Sequence, residues 1–181
     1  MVGSTDRRTP AVWPTGAWLT ESVTPAIRLL EGEGVPFGVH EYERGEELRG
    51  FGREAAEALG LPFDQVFKTL LVDVDGGDRG TDTVCVVVPV SDQVSMKAVA
   101  SAVGAKRASM CPPADAERLT GYVVGGISPL GQRTQLTTVC DETVELFDEI
   151  YVSGGRRGLD VSLPPGELVR LLGARIAAIS T

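Results

Sequence analysis

The chain has 181 residues and a net charge of −8, with 17 Lys+Arg against 25 Asp+Glu and a single histidine. That length suits one domain able to bury about two thirds of its unfolded surface in one core. The charge argues against a protein that grips nucleic acid through a broad basic face, and one histidine excludes metal centres built on several. Cys85, Cys111 and Cys140 show no CxxC or zinc spacing, so neither a disulfide framework nor a metal site is indicated. No basic start with an apolar run resembles a signal peptide, and no stretch approaches the roughly 20 apolar residues of a membrane span. A soluble, cytoplasmic protein without cofactor is the expectation.

Residues 1–22, rich in Thr, Pro, Gly and Ser, carry no period and read as a flexible extension before one folded domain over 23–181. Thr24-Pro25 is a helix cap followed by proline at the first helical position, and Gly32 and Gly34 end that helix. A strand is expected from Val35 to Glu43, then a helix from Arg49 to Leu59 closed by Gly60. Val66-Phe67-Lys68-Thr69-Leu70-Leu71-Val72-Asp73-Val74 is a β-rich run whose alternation puts Lys68 on one face with Val66, Leu70, Val72 and Val74. After a turn at Asp75-Gly76-Gly77, the continuously apolar Val84 to Val90 reads as a central strand buried on both faces.

Ser95 caps a helix through Val103, stopped by Gly104. A short strand from Arg107 to Met110 and a helix from Pro113 to Leu119 follow. Gly121 onward reads as strand, then glycine loop. Strands are expected near Thr137 to Cys140, Glu149 to Ser153 and Leu159 to Leu163. A helix from Pro165 to Leu172 stops at Gly173, and Arg175 to Ile179 is a last strand. Helices and strands mix without a strict βαβ beat, which points to an α+β domain with one curved mixed sheet.

Of the 17 basic residues only Lys68, Lys97 and Lys106 are lysine. An ammonium that points the way the core points is costly to desolvate, so Lys68 is a lysine with a structural partner, a functional one, or one whose amine still reaches water. Gly125-Gly126-Ile127-Ser128-Pro129-Leu130-Gly131 is the second signal. Glycines let backbone approach a ligand and aim N–H groups at it, which is how oxyanions are held, although a tight turn uses the same residues. It is not a P-loop, because no Gly-Lys-Ser/Thr closes it. A Ser-His-Asp or Cys-His triad would have to use His40. Ser153-Gly154-Gly155-Arg156-Arg157-Gly158 joins two strands. Between Ser95 and Gln135 five basic residues face two acidic ones, a local excess on which one phosphate end could dock.

From about Thr24 onward the chain resembles the YbaK-type Cys-tRNA(Pro) deacylases of the YbaK/EbsC and prolyl-tRNA-synthetase-associated editing-domain superfamily. Its carriers are Thr24-Pro25-Ala26 with Leu29-Leu30, Val66 to Val72, Lys97 with Gly104-Ala105-Lys106, Thr120-Gly121-Tyr122, Gly125 to Gln132, and Tyr151 to Leu159. The resemblance implies a barrel-like curved sheet flanked by helices, and an enzyme that releases a wrong amino acid, chiefly cysteine, from mischarged tRNA(Pro). Its partners would be the tRNA acceptor end and prolyl-tRNA synthetase, with no metal and no membrane. It further implies that Lys68 is the site lysine, and that Gly125, Gly126 and Ser128 form the backbone loop at the ester. Tyr42 and Phe51 would wall the pocket, Asp141 would be an acidic residue beyond the loop, and Thr69, Ile127 and Pro129 would contact substrate.

In this family the substrate's own thiol is thought to attack its carbonyl, a lyase-like cyclisation that needs no protein nucleophile. Other mischarged esters, such as Ala-tRNA(Pro), and a non-catalytic binding module are the rival readings. Two departures stand out. Gln132 leads into Arg133-Thr134-Gln135-Leu136, where the family has more cations, and Cys111-Pro112-Pro113 stands where it usually has a small residue and Asp-Pro. The first implies that the synthetase presents the tRNA. If the second edge lines the pocket, the preferred amino acid shifts with it.

Overall fold

The computed structural model describes residues 23–43, 51–75 and 81–181. The Thr24 hydroxyl accepts the Ile27 amide at 3.2 Å and opens α1 (Pro25–Gly32), which buries Ala26, Ile27 and Leu30. The Val35 amide still belongs to that helix end, bonded to the Leu30 carbonyl at 3.1 Å, so β1 is only Gly38–Glu41 rather than the longer strand expected from Val35 to Glu43. α2 spans Phe51–Leu59, β2 Val66–Asp75 and β3 Thr81–Pro89. Arg49, Gly76 and Gly77, together with residues 1–22, lie outside the described residues.

Ser95 accepts the Ala98 amide at 3.3 Å to start α3 (Met96–Val103), and Gly104 ends it in the left-handed region that glycine tolerates. β4 (Ala108–Met110) and α4 (Pro113–Thr120) follow. Residues 121–131 form no strand. The Tyr122 ring is buried and its hydroxyl donates to the Leu130 carbonyl at 2.7 Å, so the segment wraps around its own tyrosine instead of extending along a neighbour. β5 (Thr137–Asp141) leads into a 3-10 turn (Glu142–Leu146) that the sequence did not announce, then β6 (Ile150–Arg156), β7 (Leu159–Leu163), α5 (Pro165–Leu172) and β8 (Arg175–Ala177).

The strands make one mixed sheet in the order β1-β7-β6-β2-β3-β5-β8, with β4 beside β2. Val84 to Val90 are all buried, as their continuous apolar run predicts. Cys85 and Cys140 are fully buried in this core, and all three thiols are free. Among the described residues no helix is long and apolar enough to cross a membrane.

β8 stops at Ala177 because the next amides are taken by a side chain. The Asp141 carboxylate accepts from the Ile179 and Ser180 amides at 3.0 and 2.9 Å, and from the Thr143 amide and hydroxyl at 3.1 and 2.6 Å. Burial alone would raise its pKa, but these hydrogen bonds outweigh it and hold the carboxyl below its ordinary value. Its stabilising contribution is therefore present above the unfolded pKa near 3.8 and is lost as pH falls through the lower folded one. Replacing Asp141 by Ala should lower stability at pH 7 by about 2–3 kcal/mol, the range for hydrogen bonds to a charged group. Denaturant melts at pH 7 and in acid should show that difference shrink.

Candidate active site

β2 is paired along one edge by β3, from Phe67 to Asp75. On its other edge β6 runs parallel at Val66 and Phe67, while β4 runs antiparallel at Val72 to Val74 and Cys111 adds one bond to the Leu71 carbonyl. Between these partners, Lys68, Thr69 and Leu70 have a strand on one side only. A cavity of about 570 Å³ opens at that gap and reaches both faces of β2, so consecutive side chains of one strand line it.

One face carries charge. Alternation along β2, with the pairing of Val66 to Tyr151 and of Ser153 to Asp160, puts Lys68, Ser153 and Asp160 on the same side. The half-exposed Lys68 ammonium donates to the Asp92 carbonyl at 2.5 Å. Burial lowers its pKa, the Asp92 charge opposes that, and Arg53 adds to it. Asp160 is 5% exposed. Burial raises its carboxyl to about 6 against the hydrogen bond from Tyr42. Tyr42 and Arg53 also line the cavity.

The other face is apolar. Leu71, Cys111 and Ala116 form a buried cluster against which Ile127 packs. Burial and the nearby Asp73 push the Cys111 thiol up to about 11, so it is no ready nucleophile. Gly125, with a φ of +87°, brings the glycine loop to the cavity wall beside Val124 and Ile127.

Gly126 sits one layer back. A Cβ there would meet the backbone of Arg156 and Arg157 at 2.8 Å, and its amide turns onto the Val123 carbonyl at 2.9 Å. Ser128 is fully buried, its hydroxyl accepting the Leu130 amide at 3.2 Å, and Pro129 is buried with it; neither lines the cavity. The structure thus brings Lys68, Tyr42, Thr69, Gly125 and Ile127 together and sets Gly126, Ser128, Pro129 and Asp141 apart as neighbours that shape or brace. Phe51 begins α2, but its side chain lies outside the described residues.

Sequence reasoning missed Asp160 and Ser153. The signal was a carboxylate inside the alternating Leu159-Asp160-Val161-Ser162-Leu163, which reads as a solvent face although all five residues are buried. His40 stands off the cavity, its Nε2 at 2.9 Å from the Ser162 hydroxyl and its ring 5.0 Å from that of Tyr151. The basic excess near Gln135 is divided. Arg118 pairs with Asp115 at 2.9 Å and supports Arg133 through its carbonyl, while Lys106 borders a second, smaller cavity at the far end of β2 and β3. Among the described residues no three His, Cys, Asp or Glu side chains gather to hold a metal ion.

Residues 47–171 match the model of a family described as the aminoacyl-tRNA editing domain. The chain is 33% identical to EbsC of Enterococcus faecalis, a candidate Cys-tRNA(Pro)/Cys-tRNA(Cys) deacylase, over 90% of this chain and 96% of that one. It is 31% identical to the multifunctional Ser/Thr-tRNA deacylase ProXp-y of Escherichia coli, over 80% of this chain and 84% of that one. A solved structure described as that of a candidate trans-editing enzyme for prolyl tRNA synthetase superposes with a TM-score of 0.70 at 25% identity, covering 88% of this chain and 99% of the other.

Because the folded pKa of Asp160, about 6, lies above the ordinary 3.8, this group favours folding fully below pH 3.8 and that contribution is lost as pH rises through 6. Replacing Asp160 by Asn should therefore raise the melting temperature at pH 7 to 8 by several degrees, about 4 °C or more. The gain should disappear near pH 4 in a differential scanning calorimetry series.

Proposed function

The chain belongs to the aminoacyl-tRNA editing-domain family, and within it we propose that this protein deacylates mischarged aminoacyl-tRNA, with cysteine on tRNA(Pro) as its first substrate. The observation that carries the reading is the cavity at the β2 gap, which sets a half-buried lysine opposite a glycine-loop backbone. No described cavity residue is an imidazole, and the Cys111 thiol is held protonated.

That combination suits an ester already activated by its ribose leaving group, for which placement and charge stabilisation suffice. The ester carbonyl lies against the Gly125 to Ile127 backbone, where the amides of Gly125 and Ile127 face the developing oxyanion. With cysteine, the substrate Sγ forms a bond to the carbonyl carbon, the bond from that carbon to the ribose oxygen breaks, and a thiolactone leaves. The proton lost by the thiol ends on the ribose oxygen. Lys68, whose pKa burial lowers, gives up a proton more readily than a free lysine and holds the leaving alkoxide as it is protonated. Asp160 and Tyr42 orient the substrate amine on the same face.

The net charge of −8 and the scarcity of cations around Gln132 support a role for prolyl-tRNA synthetase in presenting the acceptor end, and a cytoplasmic reaction goes with that reading. The likeness to ProXp-y supports a second reading in which serine or threonine esters are cleaved, with water as the nucleophile.

Single-turnover deacylation of Cys-tRNA(Pro), Ser-tRNA(Pro) and Ala-tRNA(Pro), with and without the synthetase, tests these readings. Lys68→Ala should slow release by about 100-fold or more, the usual loss when one stabilising group is removed, without lowering the melting temperature. Near-wild-type rates in that variant would sink the assignment. Retained synthetase binding with no ester cleaved by wild type would identify a binding module instead.

A further inference from the structure

Thr69 is out of place on its own face of β2. Alternation groups it with Phe67 and Leu71, each packed in a separate apolar cluster, and Thr69 stands between the two. Its hydroxyl is buried, and among the described residues it is the one buried side-chain oxygen or nitrogen without a hydrogen-bond partner. Other threonine hydroxyls of this fold are engaged: Thr24 bonds the Gly154 carbonyl, Thr120 the Ala116 carbonyl at 2.7 Å and Thr138 the Leu136 carbonyl at 3.2 Å. A buried hydroxyl left unpaired is destabilising, and valine would fill the same space without that cost.

The missing partner belongs to the cavity. Thr69 lines it beside Leu71, Cys111, Ala116 and Ile127, in the apolar branch on the side of β2 away from Lys68. Threonine carries its methyl and its hydroxyl on the same Cβ, so one turn about Cα–Cβ between staggered rotamers exchanges them. The residues of this side are apolar apart from the Cys111 thiol, and Thr69 adds a hydroxyl to them.

We propose that this branch is the compartment for the amino-acid side chain, and that Thr69 reads a γ thiol or γ hydroxyl there, so that the substrates are small amino acids ending in a polar γ atom and not alanine. This rests on the deacylase reading above. The nucleotide then lies on the Lys68 face, and the ester crosses the gap between the two. A site built to bond a polar atom rejects the analogue that lacks it, because its own hydroxyl is left unpaired.

The test is single-turnover release from Cys-, Ser- and Ala-charged tRNA(Pro) by wild type, Thr69→Val and Thr69→Ser. Wild type should favour Cys or Ser over Ala. Thr69→Val should reduce that preference by about 5- to 100-fold, the span expected for one lost hydrogen bond in a buried site, with an unchanged or raised melting temperature. Thr69→Ser, which keeps the hydroxyl, should retain the ranking. Rates that fall in proportion for all three esters, or do not move, in a folded Thr69→Val protein would overturn the inference and leave the deacylase standing. So would a wild type that releases Ala as fast as the others. A wild type inert on every ester would overturn the deacylase reading and this inference together.

Discussion

The site exists because one strand runs out of neighbours for three residues. β6 leaves β2 after Phe67 and β4 joins it at Val72, so the backbone from Lys68 to Leu70 is paired on one edge only. A sheet interrupted in its middle would ordinarily be a weakness, since strands gain most of their stability from ladders and cross-strand contacts. Here β3 pairs with β2 from Phe67 to Asp75 on the other side, so the strand continues unbroken while its free edge faces a cavity. Side chains that alternate across a strand normally see different worlds. At this gap Lys68 and Thr69 reach one cavity from opposite faces, so a single strand presents a charged group and a neutral one to the same space.

What closes the gap is backbone laid on backbone. Gly126 has no room for a Cβ because Arg156 and Arg157 pass at 2.8 Å, and Gly155 has none because the Tyr122 ring and Thr24 press against it. The two glycine-rich segments thus interlock through the absence of side chains. Arg157 adds a hydrogen bond to the Val124 carbonyl at 2.9 Å, and Arg156 pairs with Glu41. Gly125 is positioned by this packing, so the backbone at the cavity wall is fixed by the fold itself, the condition that preorganised charge stabilisation requires.

Much of this was legible in the residues. Lys68 announced itself as a cation on a core-facing alternation, and the Gly125 to Gly131 segment as a loop where backbone comes close to something; the resemblance supplied fold and reaction class. What alternation could not reveal is which face of a strand is covered. Leu159 to Leu163 reads as half wet, yet it lies between β1 and β6 with all five residues buried, and so Asp160 escaped notice. Gly121 to Val124 carries strand-forming residues, but the Tyr122 hydroxyl bond to Leu130 overrode that propensity. The resemblance made Asp141 an acidic residue beyond the loop; in the structure two of its hydrogen bonds are the local ones of a strand-end turn former, to Thr143, while the other two reach amides 38 and 39 residues downstream, which no local pattern announces.

The hold of Asp141 on the C-terminal end reaches further than its own hydrogen bonds. Asp141 holds Ile179 and Ser180; Thr181 exchanges two backbone bonds with Gln93, at 2.9 and 3.2 Å, and the Ser180 hydroxyl bonds the Asp92 carboxylate at 3.2 Å. Asp92 is the residue whose carbonyl accepts Lys68. The lysine's orientation is thereby relayed through contacts 38, 88 and 24 residues apart in the chain. Contacts of such span form only when distant parts of the chain have been brought together. The orientation of the Lys68 amine is thus a property of the whole fold rather than of its own strand, and a truncation or substitution at the C-terminal end reaches the cavity without touching any residue that lines it.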